Sequence, residues 1–258
     1  MSRPDNSNSD LTQFKWQSTP DSNLDRKDLL LCVFSEQRSA AAKARSGNLD
    51  QKDYLLSLID CASSSGDGTH PPATFDAKRM RTVITQAAAR GHWGKLPRPG
   101  RAQGIAAHFE GAACIAVLLD VEVSDEGRLT IFEAVVVADF GNVDSPGRIR
   151  SLLEGACLMG VAFVTSCDIG PTTGNPCPVD THRSSWPLVS IFPKKIAVHL
   201  MNPVEPPHAD QTTQGSQISH VSYVPVVRAL CNAIFNATGY RTRNLPFRSQ
   251  LLARTGEG

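Results

Sequence analysis

The sequence predicts an α+β fold with a helix-rich first third, and three observations carry that expectation. Between Asp76 and Arg90, the residues Met80, Val83, Ile84, Ala87 and Ala88 recur at i, i+3, i+4, i+7 and i+8, the spacing of one helix face. Two β-branched, apolar runs, CIAVLLDVEV and LTIFEAVVVADF, flank the turn SDEGR and read as an antiparallel hairpin. In RIRSLLEGACLMGVAFV, the residues Ile149, Leu152, Leu153, Ala156, Leu158 and Val161 cover most of a helix circumference, which predicts a buried helix.

The remaining elements follow in chain order. Residues 1 to 27 are polar, with only Leu11, Phe14, Trp16 and Leu24 as larger apolar groups after Met1, and read as a mobile tail. From Asp28, DLLLCVFSEQRSAAAKARSG has an acidic start, helix formers, late basic residues and a closing Gly47, so it predicts a helix. A second, short helix is expected in DQKDYLLSLI with Asp50 as its cap, before SSSGDGTHPP breaks the chain. Gly91 ends the helix from Asp76, and HWGKLPRPGR is too rich in Pro and Gly for regular structure. A loop from Gly170 to about His182 precedes a strand in KKIAVHLMN, and a polar loop runs from about Asn202 to Ser219. The last helix, PVVRALCNAIFNATG, is expected to have Pro225 near its start and Gly239 just past its end. The organisation expected is a tail over 1–27, one domain over 28–252 and a flexible end over 253–258.

Composition narrows the function classes. At 258 residues the chain is long enough to bury a core without staples. Lys+Arg of 26 against Asp+Glu of 25 removes the basic field expected of a nucleic-acid binder. No apolar run approaches the ~18 residues of a membrane helix. The seven cysteines are odd in number, scattered and never spaced C-x-x-C, so neither a disulfide framework nor a zinc ribbon follows. With no apolar segment after Arg3 to make a leader, a reducing cytoplasm is the expected location.

Generic chemistry is sparse. Phosphate-loop, dinucleotide, nucleophile-elbow and H-E-x-x-H patterns do not occur. The seven histidines, His182, His199, His208 and His220 among them, are not spaced from other His or Cys as metal ligands are. The segment YRTRNLPFRSQLLARTGEG holds four arginines against one glutamate and reads as a solvated tail.

Four stretches, taken in order, are WGKLPRPGRAQGIAAH, VVVADFGNVDSPGRIRSLLEGACLMG, KKIAVHLMNPVEPPHA and PVVRALCNAIFNATGYRTRNLPF. Together they resemble the C-terminal part of the molybdopterin-binding large subunit of molybdenum hydroxylases, in the isoquinoline 1-oxidoreductase and aldehyde dehydrogenase branch. The resemblance spans about Asn48 to Leu252, roughly the last third of such a subunit, without its earlier cofactor-binding portion. It implies a molybdenum-cofactor-binding-domain-like fold. It also implies oxidative hydroxylation of an N-heterocycle or aldehyde, with the hard chemistry owned by the cofactor.

Residue by residue, the resemblance places the family's G-x-G-E loop on Gln217, Ile218, Ser219 and His220. His220 then stands at the position of the catalytic glutamate, and an imidazole can accept a proton there only as a neutral base. Gln217 and Ser219 replace the two loop glycines that permit close backbone approach. The family's pterin-contacting glutamine falls on Leu152, an apolar side chain with no amide to offer. Glu154 and Gly155 of the following E-G-G remain, with Ala156 for the second glycine. The D-C-G turn reads Asp139, Phe140, Gly141, which keeps the turn and loses the thiol. The implied cofactor contacts are therefore Gly141, Glu154, Gly155, Gln217 and Ser219, with no protein ligand to a metal.

The expected function is a C-terminal cofactor-domain homologue of a hydroxylase large subunit, inactive alone. Its partners would be a chain carrying the remaining large-subunit portion and a [2Fe-2S] subunit, with molybdopterin bound only in that assembly. The alternative is a non-catalytic structural or interaction protein that kept the fold and lost the cofactor. Because residues 1–27 offer almost no apolar area to bury, their deletion is expected to leave the melting temperature within a few degrees of the full chain. A larger drop in a thermal melt would mean that Phe14 or Trp16 docks on the body.

Overall fold

A computed structural model describes residues 44–64, 76–95, 98–110, 113–141, 143, 145–166, 191–201 and 215–240. The elements are α1 (Gln51–Ser64), α2 (Ala77–Arg90), β1 (Arg101–Glu110), β2 (Ala113–Val123), β3 (Leu129–Asp139), α3 (Pro146–Ser166), β4 (Lys195–Leu200) and α4 (Gly215–Thr238). The four strands form one sheet in the order β1-β2-β3-β4. The first three run antiparallel, and β4 joins β3 in parallel after the crossover through α3. The predicted tail over 1–27 and most of the helix from Asp28 lie outside the described residues, as do residues 167–190, 202–214 and 241–258.

The hairpin runs are continuously apolar because the sheet is covered on both faces. On one face, Ile115, Val117 and Leu119 of β2 and Ala134 and Val136 of β3 pack against Leu153, Val161, Val227 and Leu230 of α3 and α4. On the other, Cys114, Ala116, Leu118, Val135 and Val137 pack against Met80, Val83, Ile84 and Ala87 of α2 and Ile59 of α1. The periodic face read from the sequence between Asp76 and Arg90 is thus the buried face of α2. Asp76 caps this helix, its carboxylate accepting from the amides of Lys78 and Arg79. Asp50 does the same for α1, accepting from Lys52 and Asp53, and also takes the Trp93 indole N–H at 3.0 Å.

Three details depart from the sequence-based expectation. The left-handed residues that close helices are Asn48 and His92, one position beyond the glycines expected to serve. Their turns are completed by Leu49 N–H to Ala44 and Trp93 N–H to Ala88. Strand β1 was not foreseen: the irregular stretch HWGKLPRPGR reaches only its first residue, Arg101, and RAQGIAAHFE has little β propensity. It forms because α4 lies directly on it, and Gly104 makes that approach possible. A Cβ at Gly104 would run into the backbone of Ala229 and Ala233, with the Ala233 Cα at 2.7 Å. Asn232 and Asn236 then donate to the carbonyls of Ile105 and Gln103 at 3.1 and 2.9 Å. The third departure is α4 itself, which begins at Gly215 rather than near Pro225. Pro225 sits inside the helix and removes one rung of the ladder. The loss is offset by burial, since Ser222 through Val227 are all buried.

Replacing Gly104 with Val is expected to lower stability by roughly 3 kcal/mol, about 6 to 12 °C in a thermal melt, because helix backbone cannot yield as a side chain can. Gly155→Ala is the contrast: no atom lies within 4 Å of a Cβ built there. It should stabilise α3 by about 0.5 to 1 kcal/mol.

Candidate functional site

Of the implied site residues, Gly141 and the 217–220 segment come to one end of the sheet. α4 runs antiparallel to β1, since Asn236 bonds to Gln103 and Asn232 to Ile105. From Asn232 back to His220 is about 18 Å of helix, and from Ile105 to the end of β1 about 17 Å of strand. The 217–220 segment therefore lies at the end where Phe109 pairs with Cys114 and Cys114 pairs with Asp139. Gly141 is at this same end. α3 begins here too, but Glu154 and Gly155 lie about 12 Å further along it.

The turn at this end is built on one ion pair. Arg79 of α2 grips Asp139 with both prongs, Nε to Oδ2 at 2.9 Å and Nη2 to Oδ1 at 2.7 Å, and Nη2 also reaches the Asp139 carbonyl at 3.1 Å. The hydrogen bond to Asp139 holds the Arg79 pKa above its ordinary value despite the opposing cost of burial. The Asp139 Oδ1 also accepts the Gly141 N–H at 2.9 Å, an Asx turn that Gly141 completes with φ +71°. Phe140, where the resemblance implies a cysteine, is 2% exposed and belongs to the core shared with α3 and α4. Neighbouring Cys114 is fully buried, and burial pushes its thiol up to about 12, far from a reactive thiolate. The turn is structural. Sequence reasoning kept the turn but missed Arg79; the available signal was a carboxylate closing a strand of five apolar residues, Ala134–Ala138.

The other expected contacts fare as follows. Leu152, where the resemblance implies a pterin-contacting glutamine, is half-buried and packed against the main core. Ala156 is 4% exposed and also buried in that core. Glu154 is half-buried and Gly155 exposed. Gln217, Ser219 and His220 were expected in a loop, and they stand instead within the first two turns of α4. Helical backbone turns the amides of Ser219 and His220 along the axis, toward carbonyls four residues earlier, so they do not project as loop amides do. At Leu152 and at 217–220 the residues do not fit the pterin contacts that the resemblance implies. Among the described residues, no group of three His, Cys, Asp or Glu is placed to hold a metal ion.

No protein-family model matches the chain. The chain is 25% identical over 209 residues to the membrane-bound aldehyde dehydrogenase [pyrroloquinoline-quinone] of Gluconacetobacter polyoxogenes, covering 77% of this chain and 25% of that protein. It thus spans about a quarter of that relative's length. Solved structures similar to it include the aldehyde oxidoreductase of Desulfovibrio gigas, with TM-score 0.45 and 19% identity over 56% of this chain and 15% of that one. Quinoline 2-oxidoreductase of Pseudomonas putida 86 gives TM-score 0.43 and 11% identity, over 56% and 18% of the two chains. A Cu,Mo-CO dehydrogenase gives 0.41 and 17% over the same shares.

Over 77% of its length the chain is thus similar to about a quarter of a larger aldehyde dehydrogenase. Among the described residues, no helix is long and apolar enough to cross a membrane.

Asp139→Asn is expected to cost about 2 kcal/mol in chemical denaturation, because it leaves the Arg79 charge half-buried without its counter-ion while an amide oxygen still accepts from Gly141. Asp139→Ala should cost about 1 kcal/mol more, since it removes the Asx turn as well. An equal cost for both variants would show that the turn contributes nothing.

Proposed function

We propose that this domain is a homologue of the C-terminal cofactor domain of a molybdenum hydroxylase large subunit that does not hold the cofactor by itself. The observation that carries this reading is the pairing of Leu152, spent on the core, with a helical 217–220 segment where the family has a two-glycine loop. A cofactor gripped between two portions loses avidity when one grip is weakened. In this reading the domain works in the cytoplasm beside the remaining large-subunit portion and a [2Fe-2S] subunit. His220 then occupies the position of the base.

A non-catalytic, structural or interaction role is the second reading. It is favoured by the same Leu152 packing, because a side chain recruited into the core is not held in reserve for a ligand. The two readings part on activity in the assembly, not on the fold.

The test is cofactor analysis of the purified chain, for molybdenum and pterin and also for the quinone that names the curated relative. The expected result is well below one equivalent of each; close to one equivalent of molybdenum in the monomer overturns the proposal. Where the chain assembles with the partner subunits, Gln217→Gly, Ser219→Gly and His220→Glu together should raise hydroxylase turnover, since a positioned general base contributes ~10² to 10⁴-fold. No turnover in any variant with molybdenum loaded leaves the non-catalytic reading alone.

A further inference from the structure

The two edges of the sheet are finished differently. On β1, the bond from the Val123 N–H to the Gly100 carbonyl sets the phase of the ladder, so Gln103 and Ile105 turn their peptide groups away from β2. Their carbonyls do not stay open, since Asn236 and Asn232 of α4 reach over and donate to them. On β4 the Met201 N–H donates to the Ala138 carbonyl of β3, and peptide groups alternate in direction along a strand. Those of Ile196, Val198 and Leu200 therefore point outward. β4 is the last strand, and among the described residues nothing takes these groups. Lys195–Leu200 contains no proline, and its one lysine is drawn to Glu133 of β3 at 2.7 Å, so neither common guard of an edge is present.

A second unfilled surface adjoins this edge. α4 packs on β1 and β2, whereas α3 packs on α4 and on β4. The side of α3 toward α4 is marked by Gly160, where a Cβ would meet Val226, and by Phe163, whose ring centroid lies 5.5 Å from that of Tyr223. At about 100° per residue, Leu158 stands roughly 160° around the helix from Gly160 and roughly 60° from fully buried Val161. It thus faces away from α4, on the flank that looks over the β4 edge. Leu158 is one of two large apolar side chains exposed among the described residues. Ser151, Gly155 and Ala162 continue that flank without a charge, and a Cβ at Gly155 would touch nothing.

We propose that β4 and this flank of α3 form the interface of a two-fold dimer, in which β4 pairs antiparallel with the β4 of a second copy. Self-complementarity selects the occupant. With the axis through Val198, Ile196 meets Leu200 of the second copy and the two Val198 side chains meet each other, aliphatic on aliphatic on the α3 side of the sheet. On the α2 side Ala197 meets His199 and Lys195 meets Met201, so no like charges stand directly opposite. As the crossover between parallel strands, α3 runs opposite to β4, and the two copies of α3 lie antiparallel on one face. Arg148, exposed in the first turn of α3, then approaches the C-terminal end of its counterpart, where no basic residue stands and the helix dipole favours a cation. Six strand residues a side make a small interface, so association in the micromolar range is expected. Neither Leu158 nor β4 is among the cofactor contacts implied by the family resemblance.

The test is sedimentation velocity of the full chain over a range of concentrations, paired with amide hydrogen exchange along β4. A reversible monomer–dimer equilibrium is expected, with the Ile196, Val198 and Leu200 amides gaining protection as the dimer fills. Val198→Pro removes an outward N–H without breaking the ladder to β3, and Leu158→Lys sets a charge on the apolar flank of both copies. Each should weaken association about tenfold or more while the circular dichroism of the monomer is unchanged. If Val198→Pro unfolds, Leu158→Lys carries the test, because its side chain is already exposed. A chain that stays monomeric at every concentration overturns the proposal. So does a dimer that Leu158→Lys leaves undiminished, or one in which the three amides exchange as fast as in the monomer.

Discussion

The architecture depends on how closely α4 can lie on β1. At Gly104 the helix meets the strand backbone to backbone, and Asn232 and Asn236 fasten the two through strand carbonyls. That contact fixes the helix direction against the sheet. It therefore decides that the first turns of α4 emerge beside the Asp139 turn and not at the opposite end. It also explains why a strand as poor in β-formers as β1 exists at all: its hydrogen bonds to β2 and the covering helix supply what propensity does not.

At the end of the sheet so defined, the described side chains are spent on holding the fold together. The Arg79–Asp139 pair and the Gly141 turn hold β3 to α2 and aim the chain into α3. Phe140 and Leu152 point into the core, where a thiol and an amide would have offered polar contacts. Apolar side chains at such positions add packing and take away recognition.

Much of this was legible in the sequence where one physical rule dominated. The helix at Asp76–Arg90 announced itself by period, and the hairpin by paired β-branched runs around SDEGR. The Asp50 cap was equally plain. What escaped was set by tertiary contact. β1 answers to α4, not to its own residues. The helix around Pro225 extends ten residues further because burial of 222–227 outweighs one missing rung. The Arg79–Asp139 pair joins residues 60 apart, and no local pattern links them. Of the implied site, the Gly141 turn could be read from the sequence, whereas the helical state of Gln217, Ser219 and His220 could not.

The parallel placement of β4 has a consequence for the order in which the chain assembles. β1, β2 and β3 follow one another in sequence, with two and five residues between their ends. β4 must wait for α3 to fold back, since its Lys195 meets a Glu133 that is 62 residues earlier. Loop-closure entropy makes that the slow step, and until it is complete the outer edge of β3 stands open with Val135, Val136 and Val137 along it. A nascent chain is thus most exposed to aggregation between synthesis of the hairpin and arrival of the fourth strand.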